Sequence, residues 1–243
     1  NADTGNYKKS NQQGKYNFDK NALEEHIQKI LSINIINLNA IKKKNFKVIV
    51  DGINSVGGLA VPELLKKIGV KKINKLNCIP NGKFSHNPEP LPENIIEIRN
   101  IMKNNDFDLG IVVDPDVDRL CFLDEKGNPI GEEYTLVLAA KQLLSKQEKI
   151  ITCSNLSSTI ALKKITNQAN GKYFSSAVGE INVVEKMKES NADIGGEGNG
   201  GVIYPKTHYG RDALVGIAII LSLLAETDSS LSALKNELPQ YFI

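Results

Sequence analysis

The residues best suited to chemistry are Asp114, Asp116 and Asp118, followed directly by Arg119. They stand behind the apolar run Leu109-Gly110-Ile111-Val112-Val113. In an extended backbone, alternate side chains point the same way. A strand ending there would present three carboxylates on one side of a loop. Carboxylates so close repel one another unless a cation sits between them. Oxygen-only donor sets suit hard divalent ions, Mg²⁺ first. Arg119 adds a planar fork of donors that matches a phosphate. The local expectation is a strand-end Mg²⁺ site that handles a phosphorylated substrate.

Other readings of the same residues compete. A short acidic cluster is also what a solvated turn looks like. An EF-hand loop begins D-x-D-x-D-G and ends in Glu at its twelfth position. Glu125 falls there, but Arg119 replaces the glycine and a strand-like run replaces the helix in front. An aspartyl-phosphate phosphatase loop, D-x-D-x-T/V, is opposed by Asp118 at its fifth position. A second motif lies further on, where five glycines surround Glu197 and Asn199 between Gly195 and Gly201. Glycine lets the backbone approach a ligand closely. A carboxylate and an amide two residues apart suit sugar hydroxyls. On its own, this stretch reads equally well as a glycine-rich hairpin.

The elements that must carry these loops alternate along the chain. Residues 1–20 form a polar arm, and its start at Asn1-Ala2 without methionine suggests a tag remnant on an excised piece of a longer protein. Helical spacing of Leu23, Ile27, Ile30 and Leu31 follows. Strands are expected at 46–50, 75–79, 109–113 and 120–123, with helices at 63–68, opened by Pro62, and at 94–103. After a turn at Lys126-Gly127-Asn128-Pro129, helices at 135–144, 157–166, 181–189 and 212–224 alternate with strands at 149–153, 172–174, 192–194 and 202–204. Asn155, Ser157 and Ser158 are capping candidates for the 157–166 helix. The pattern predicts α/β: two consecutive sandwich domains, each a mixed sheet flanked by helices, over 21–127 and 128–243.

Composition narrows the class. The chain has 243 residues, 41% hydrophobic and 24% charged, long enough for one large domain or two small ones. A net charge of +2 gives no field for nucleic acid. Cys78, Cys121 and Cys153 lack metal-type spacing and read as reduced core residues of a cytosolic protein. The longest apolar run, 214–225, is shorter than the roughly 20 residues a bilayer span needs, and no signal peptide is visible. No membrane or nucleic-acid partner is expected.

Taken together, the motifs carry a resemblance. The loop D-P-D-V-D-R-L, the later G-E-G-N-G-G, and Tyr209-Gly210-Arg211-Asp212-Ala213 resemble the α-D-phosphohexomutases, in order and spacing, from about residue 20 to the end. That family comprises phosphomannomutases, phosphoglucomutases and phosphoglucosamine mutases. Its members have four domains, and this chain resembles the middle two. The first domain of the family carries a phosphorylated serine and the fourth a phosphate-binding loop, and neither is found in these residues. The resemblance implies that Asp114, Asp116 and Asp118 hold Mg²⁺ and that Arg119 is catalytic, stabilising the transferring phosphoryl group. It implies that Glu197 and Asn199 bind sugar hydroxyls, although many relatives have serine at the Asn199 position. Gly179 and Glu180 match a second sugar-contacting turn in which other members carry histidine at the Glu180 position. Arg211 either contacts substrate or braces the sugar loop. The implied partners are a phosphorylated hexose, a hexose 1,6-bisphosphate and the missing first and fourth domains.

Phe84-Ser85-His86-Asn87-Pro88 also resembles the S-H-N-P end of the family's nucleophile loop. Its flanks match a different, proline-held loop of the second domain, so local hydrogen bonds of His86 and Asn87 are expected instead. His26 is expected on a solvated helix face. Three functions remain open: the centre of a hexose 1-phosphate/6-phosphate mutase, a module that binds Mg²⁺ and phosphosugar without chemistry, and a Mg²⁺-dependent phosphatase with Asp114 as nucleophile.

Overall fold

The computed structural model describes residues 14–241. The first half runs α1 (Ala22–Leu31), α2 (Leu38–Lys44), β1 (Lys47–Asp51), α3 (Gly57–Ile68), β2 (Lys72–Leu76), α4 (Ile96–Lys103), β3 (Leu109–Val113) and β4 (Leu120–Leu123). The second runs α5 (Glu132–Lys146), β5 (Ile151–Asn155), α6 (Ala161–Gln168), β6 (Lys172–Ser176), α7 (Glu180–Ser190), β7 (Ile194–Gly196), β8 (Val202–Ile203), α8 (Ala213–Thr227) and α9 (Leu231–Glu237). The strands form two four-stranded sheets, ordered β2-β1-β3-β4 and β6-β5-β7-β8. In each sheet three strands are parallel and the last is antiparallel. The expected pair of mixed sheets flanked by helices is what the chain forms. Much of the polar arm, residues 1–13, lies outside the described residues, and residues 14–20 are exposed.

Period-2 alternation sorts each strand between two apolar layers. Val48, Val50, Leu109, Ile111, Val113, Leu120 and Phe122 face a large central cluster. Ile49, Val112, Cys121 and Leu123 face the other way, under α4 and its Ile98 and Met102. The second sheet repeats this, with Cys153 and Ile203 covered by Val183, Val184 and Met187 of α7. The central cluster is common to both halves. Its axis is α8, where every residue from Ala213 to Leu224 is buried. A helix apolar on all sides must be enclosed on all sides, and α8 packs against α2, α3, α5 and β4. Among the described residues, no single helix is long and apolar enough to cross a membrane.

Several elements depart from the expected bounds. The helix expected to open at Pro62 begins at Gly57, with Pro62 inside it. Glycine is required at both Gly57 and Gly58, because a side chain at either would run into neighbouring atoms. A Cβ on Gly57 would stand 2.5 Å from Val113 Cγ2, and one on Gly58 2.5 Å from Cys78 Cα. Asn155, Ser157 and Ser158 do not cap α6, which begins at Ala161. Both hydroxyls donate to Asn155 Oδ1 instead. His26 is half-buried rather than on a fully solvated face, with its Nε2 2.8 Å from Asp212 Oδ2. Helices α2 and α9, seven residues each, were not expected.

Candidate active site

The acidic loop starts where β3 ends. Asp114 is buried, Asp118 half-buried and Asp116 exposed. The loop does not stay extended, as the alternation argument assumed. It curls around the Asp114 carboxylate, whose Oδ1 accepts the backbone N–H groups of Asp118 and Arg119, both at 3.0 Å. Val117 makes the curl possible by adopting φ 64°. That conformation is strained for a β-branched residue. It is held there by Ala213 N–H donating to Val117 O at 3.0 Å and by packing in the central core. Ser55 Oγ donates to Pro115 O at 2.6 Å, fixing the loop from the β1–α3 turn. The result is the convergence expected from sequence, reached by a different backbone path. One carboxylate oxygen from each of Asp114, Asp116 and Asp118 lies within 4.8 Å of the others.

Electrostatics tests whether a divalent cation suits this place. Burial pushes the Asp114 carboxyl up to about 7. That value includes the Arg119 backbone N–H, which lowers it, and the neighbouring Asp118 and Asp116 charges, which raise it. A buried carboxylate beside two others, turned inward by its own loop, is destabilised in its charged form unless a cation is present. The donor set is all oxygen, which fits Mg²⁺ rather than a softer metal.

Arg119 sits at the rim of the loop. Its Nη1 donates to Glu89 Oε1 at 3.0 Å, and its Nε lies 3.8 Å from Asp114 Oδ2. Glu89 belongs to the proline-rich loop, so that loop reaches the site through an ion pair the sequence did not reveal. Glu132, the first residue of α5, is a second group missed from sequence. Burial pushes its carboxyl up to about 7, and the Arg119 charge opposes the rise.

The glycine-rich loop is indeed a hairpin, joining β7 to β8, with Glu197 N–H donating to Gly201 O at 3.1 Å. It also touches the acidic loop directly, since Leu120 N–H donates to Gly200 O at 3.2 Å. Glu197 is buried and turned inward. Its Oε1 accepts from Asn155 Nδ2 at 2.8 Å and its Oε2 from Arg211 Nη1 at 3.1 Å. Asn199 Oδ1 accepts from the Gly201 N–H at 3.2 Å. Gly179, at φ 110°, caps α7, and Glu180 opens that helix. Glu180 Oε1 accepts the Arg211 backbone N–H at 3.1 Å.

Arg211 joins these parts. Its guanidinium reaches Asp118 of the acidic loop through Nη2, Glu197 of the hairpin through Nη1, and lies 3.3 Å from Glu180 Oε2 through Nε. One cation thus stands among three carboxylates from three elements. His86 and His208 are paired with other carboxylates. His86 Nε2 lies 3.3 Å from the buried Asp51 Oδ2, and its Nδ1 lies 2.8 Å from Asn87 O. His208 Nε2 faces Asp212 Oδ2 at 3.0 Å.

Comparison with known proteins places both halves in one family. Residues 24–127 match phosphoglucomutase/phosphomannomutase, alpha/beta/alpha domain II, and residues 131–242 match alpha/beta/alpha domain III. The chain belongs to the phosphoglucomutase/phosphomannomutase family. A phosphoglucomutase/phosphomannomutase from Thermococcus kodakarensis is 35% identical over 210 residues, covering 86% of this chain and 46% of that protein. A probable phosphoglucosamine mutase from Methanopyrus kandleri is 30% identical over 224 residues, covering 92% and 48%. The crystal structure of a phosphoglucomutase/phosphomannomutase family protein from Burkholderia thailandensis superposes with a TM-score of 0.80 at 27% identity, over 91% of this chain and 47% of that one. The chain therefore spans about half the length of the curated relatives it matches. In this family member, the two matched domains meet at the acidic loop, the glycine hairpin and Arg211.

Proposed function

We propose that this chain is the two-domain centre, divided near Gly127, of a Mg²⁺-dependent phosphohexomutase that interconverts hexose 1-phosphate and hexose 6-phosphate. The observation that carries the reading is the meeting of the two motif loops. Arg211 touches both Asp118 and Glu197, and Leu120 hydrogen-bonds Gly200. A carboxylate metal loop and a loop suited to sugar hydroxyls share one site, as a phosphorylated sugar requires.

Asp114, Asp116 and Asp118 would hold the ion. When bound, Mg²⁺ supplies positive charge against the transferring phosphoryl group. Arg119 is the catalytic residue of this chain, offering a fork of donors to the same group. Phosphoryl transfer is accelerated mainly by positioning and charge neutralisation. Glu197, Asn199, Gly179 and Glu180 orient the sugar, and Arg211 sets the hairpin against the acidic loop. The phosphoryl donor is a phosphoserine on another domain of the longer protein, and the bisphosphorylated hexose is the intermediate.

These residues alone bind without turnover, because the phosphoserine lies on another domain and Ser85 does not replace it. Both ring nitrogens of His86 face Asp51 and Asn87 rather than Ser85, so His86 does not serve Ser85 as a base. The test is Mg²⁺ calorimetry on the wild type and Asp116→Asn, alongside a coupled mutase assay on the longer protein. Asp116→Asn should weaken Mg²⁺ by about tenfold or more, roughly 1.4 kcal/mol, and abolish turnover. Unchanged Mg²⁺ dependence, or release of inorganic phosphate, would sink the assignment.

A further inference from the structure

Arg211 is a cation already seated where two negative ligand-binding loops meet. Its side chain is 14% exposed and its fork is divided among Asp118, Glu197 and Glu180. Asp118 and Glu197 are also the groups expected to serve the metal ion and the sugar. The hub is incompletely satisfied, because Arg211 Nε is buried without a hydrogen-bond partner. Glu180 Oε2 lies near Nε, at 3.3 Å, but not in bonding alignment. A permanent strut between rigid elements tends to complete its donors, since an unmade buried bond is costly. An incomplete fork fits a group that shifts when other charges arrive.

We propose that Arg211 is a positioning residue that acts as a built-in counter-cation, competing with the divalent ion for Asp118 while it holds Glu197 in place. This inference rests on the reading of the acidic loop as the Mg²⁺ site. The physical argument is charge placement. Without a metal, the acidic loop carries three carboxylates within a few ångströms, and Arg211 offsets part of their repulsion through Asp118. A dication entering the loop meets that guanidinium as a like charge and as a rival for the Asp118 oxygen. Metal entry and the Arg211–Asp118 contact therefore oppose each other. The Arg211–Glu197 contact ties the hairpin to the outcome. The backbone anchors of Arg211 do not depend on the guanidinium. Its N–H is bonded to Glu180, and Asp212 beside it caps α8 by accepting from Val215 N–H.

The variant that isolates the charge is Arg211→Met, which keeps most of the apolar stem and removes the fork. Its Mg²⁺ affinity, measured by calorimetry on the metal-stripped chain with Mg²⁺ alone, should rise by about fivefold or more. A residue that merely braced the loops would leave the affinity unchanged or lower it, so the sign decides. Arg211→Lys keeps a charge that cannot span three carboxylates and should fall between the two. If Arg211→Met melts before it can be titrated, Arg211→Lys alone carries the test, and it must still bind Mg²⁺ more tightly than the wild type. Equal or weaker binding in the variants, with normal binding in the wild type, overturns this inference and leaves the metal reading intact. No Mg²⁺ binding by any form overturns both.

Discussion

Single side chains in this protein are defined by their hydrogen-bond partners more than by their type. His26, His208 and Asp212 have the composition of a transition-metal site, and their ligand atoms lie within 4.8 Å of one another. Gly210 N–H, however, donates to His208 Nδ1 at 3.0 Å. A ring whose Nδ1 accepts a hydrogen bond has Nε2 as its donor, the atom facing Asp212. Metal ligation through Nε2 would put a proton on Nδ1, against the Gly210 N–H. The trio is a hydrogen-bonded helix cap, and with it α1 is tied to the start of α8. His86 has the same logic with a measurable consequence. Its hydrogen bond to Asp51 raises its pKa above the ordinary 6.5, outweighing partial burial, which lowers it. A histidine raised on folding contributes stability fully below its unfolded pKa and loses it as pH rises through the folded value. The proline-rich loop at 80–92 should therefore be best held below about pH 6.5 and loosen above the folded pKa. NMR titration of the His86 ring, with limited proteolysis of that loop across the same pH range, checks both. A midpoint at or below 6.5, or one unmoved by Asp51→Asn, would remove the proposed cause.

Loops and their flanking elements decide what the residues can do. The acidic loop was readable from sequence because an apolar strand ran straight into alternating carboxylates. Its path was not readable, since nothing in the residue pattern marks Val117 for the left-handed region. Tertiary contacts from Ala213 and the core put it there. Glu89 and Glu132 were hidden for a related reason. Each is an ordinary surface-type residue in its own segment, brought to Arg119 only by the fold. The seven-residue α2 and α9 were missed because two turns show little periodicity. Of the two readings the glycine stretch offered, a sugar-binding loop or a hairpin, the hairpin is seen, and it meets the acidic loop. Gly200 is the point of contact. It has φ +88°, and a Cβ there would stand 2.5 Å from Leu120 O. Gly200→Ala should thus combine backbone strain of about 1–3 kcal/mol with separation of the two loops. Thermal or urea unfolding should register the loss, and, on the proposed function, calorimetry should find weaker hexose-phosphate binding. An unchanged melting temperature would mean the hairpin can move away from β4 at little cost.

At the scale of the whole molecule, the two sheets repeat one strand order and each has an outer cluster of its own, yet their inner faces share one core. Helix α8 belongs to the second half by sequence and packs on α2, α3 and β4 of the first. Its burial is what keeps the acidic loop and the hairpin in register, because Ala213, at its first turn, holds Val117 and Arg211 lies just before its cap. A helix enclosed on all sides couples whatever surrounds it. Removing side-chain volume from α8 should therefore weaken both halves at once. Ile217 is fully buried in the shared cluster. Ile217→Ala should cost about 2–5 kcal/mol, the range for a large aliphatic truncated in a core that relaxes only partly. Far-UV circular dichroism and tyrosine fluorescence followed through urea should trace the same single transition in wild type and variant, shifted to lower denaturant in the variant. Coincident curves are the mark of one cooperative unit. Two transitions, with only the later half lost early in Ile217→Ala, would mean that the sheets fold as independent domains. In that case the site between them would be assembled by docking rather than by a shared core.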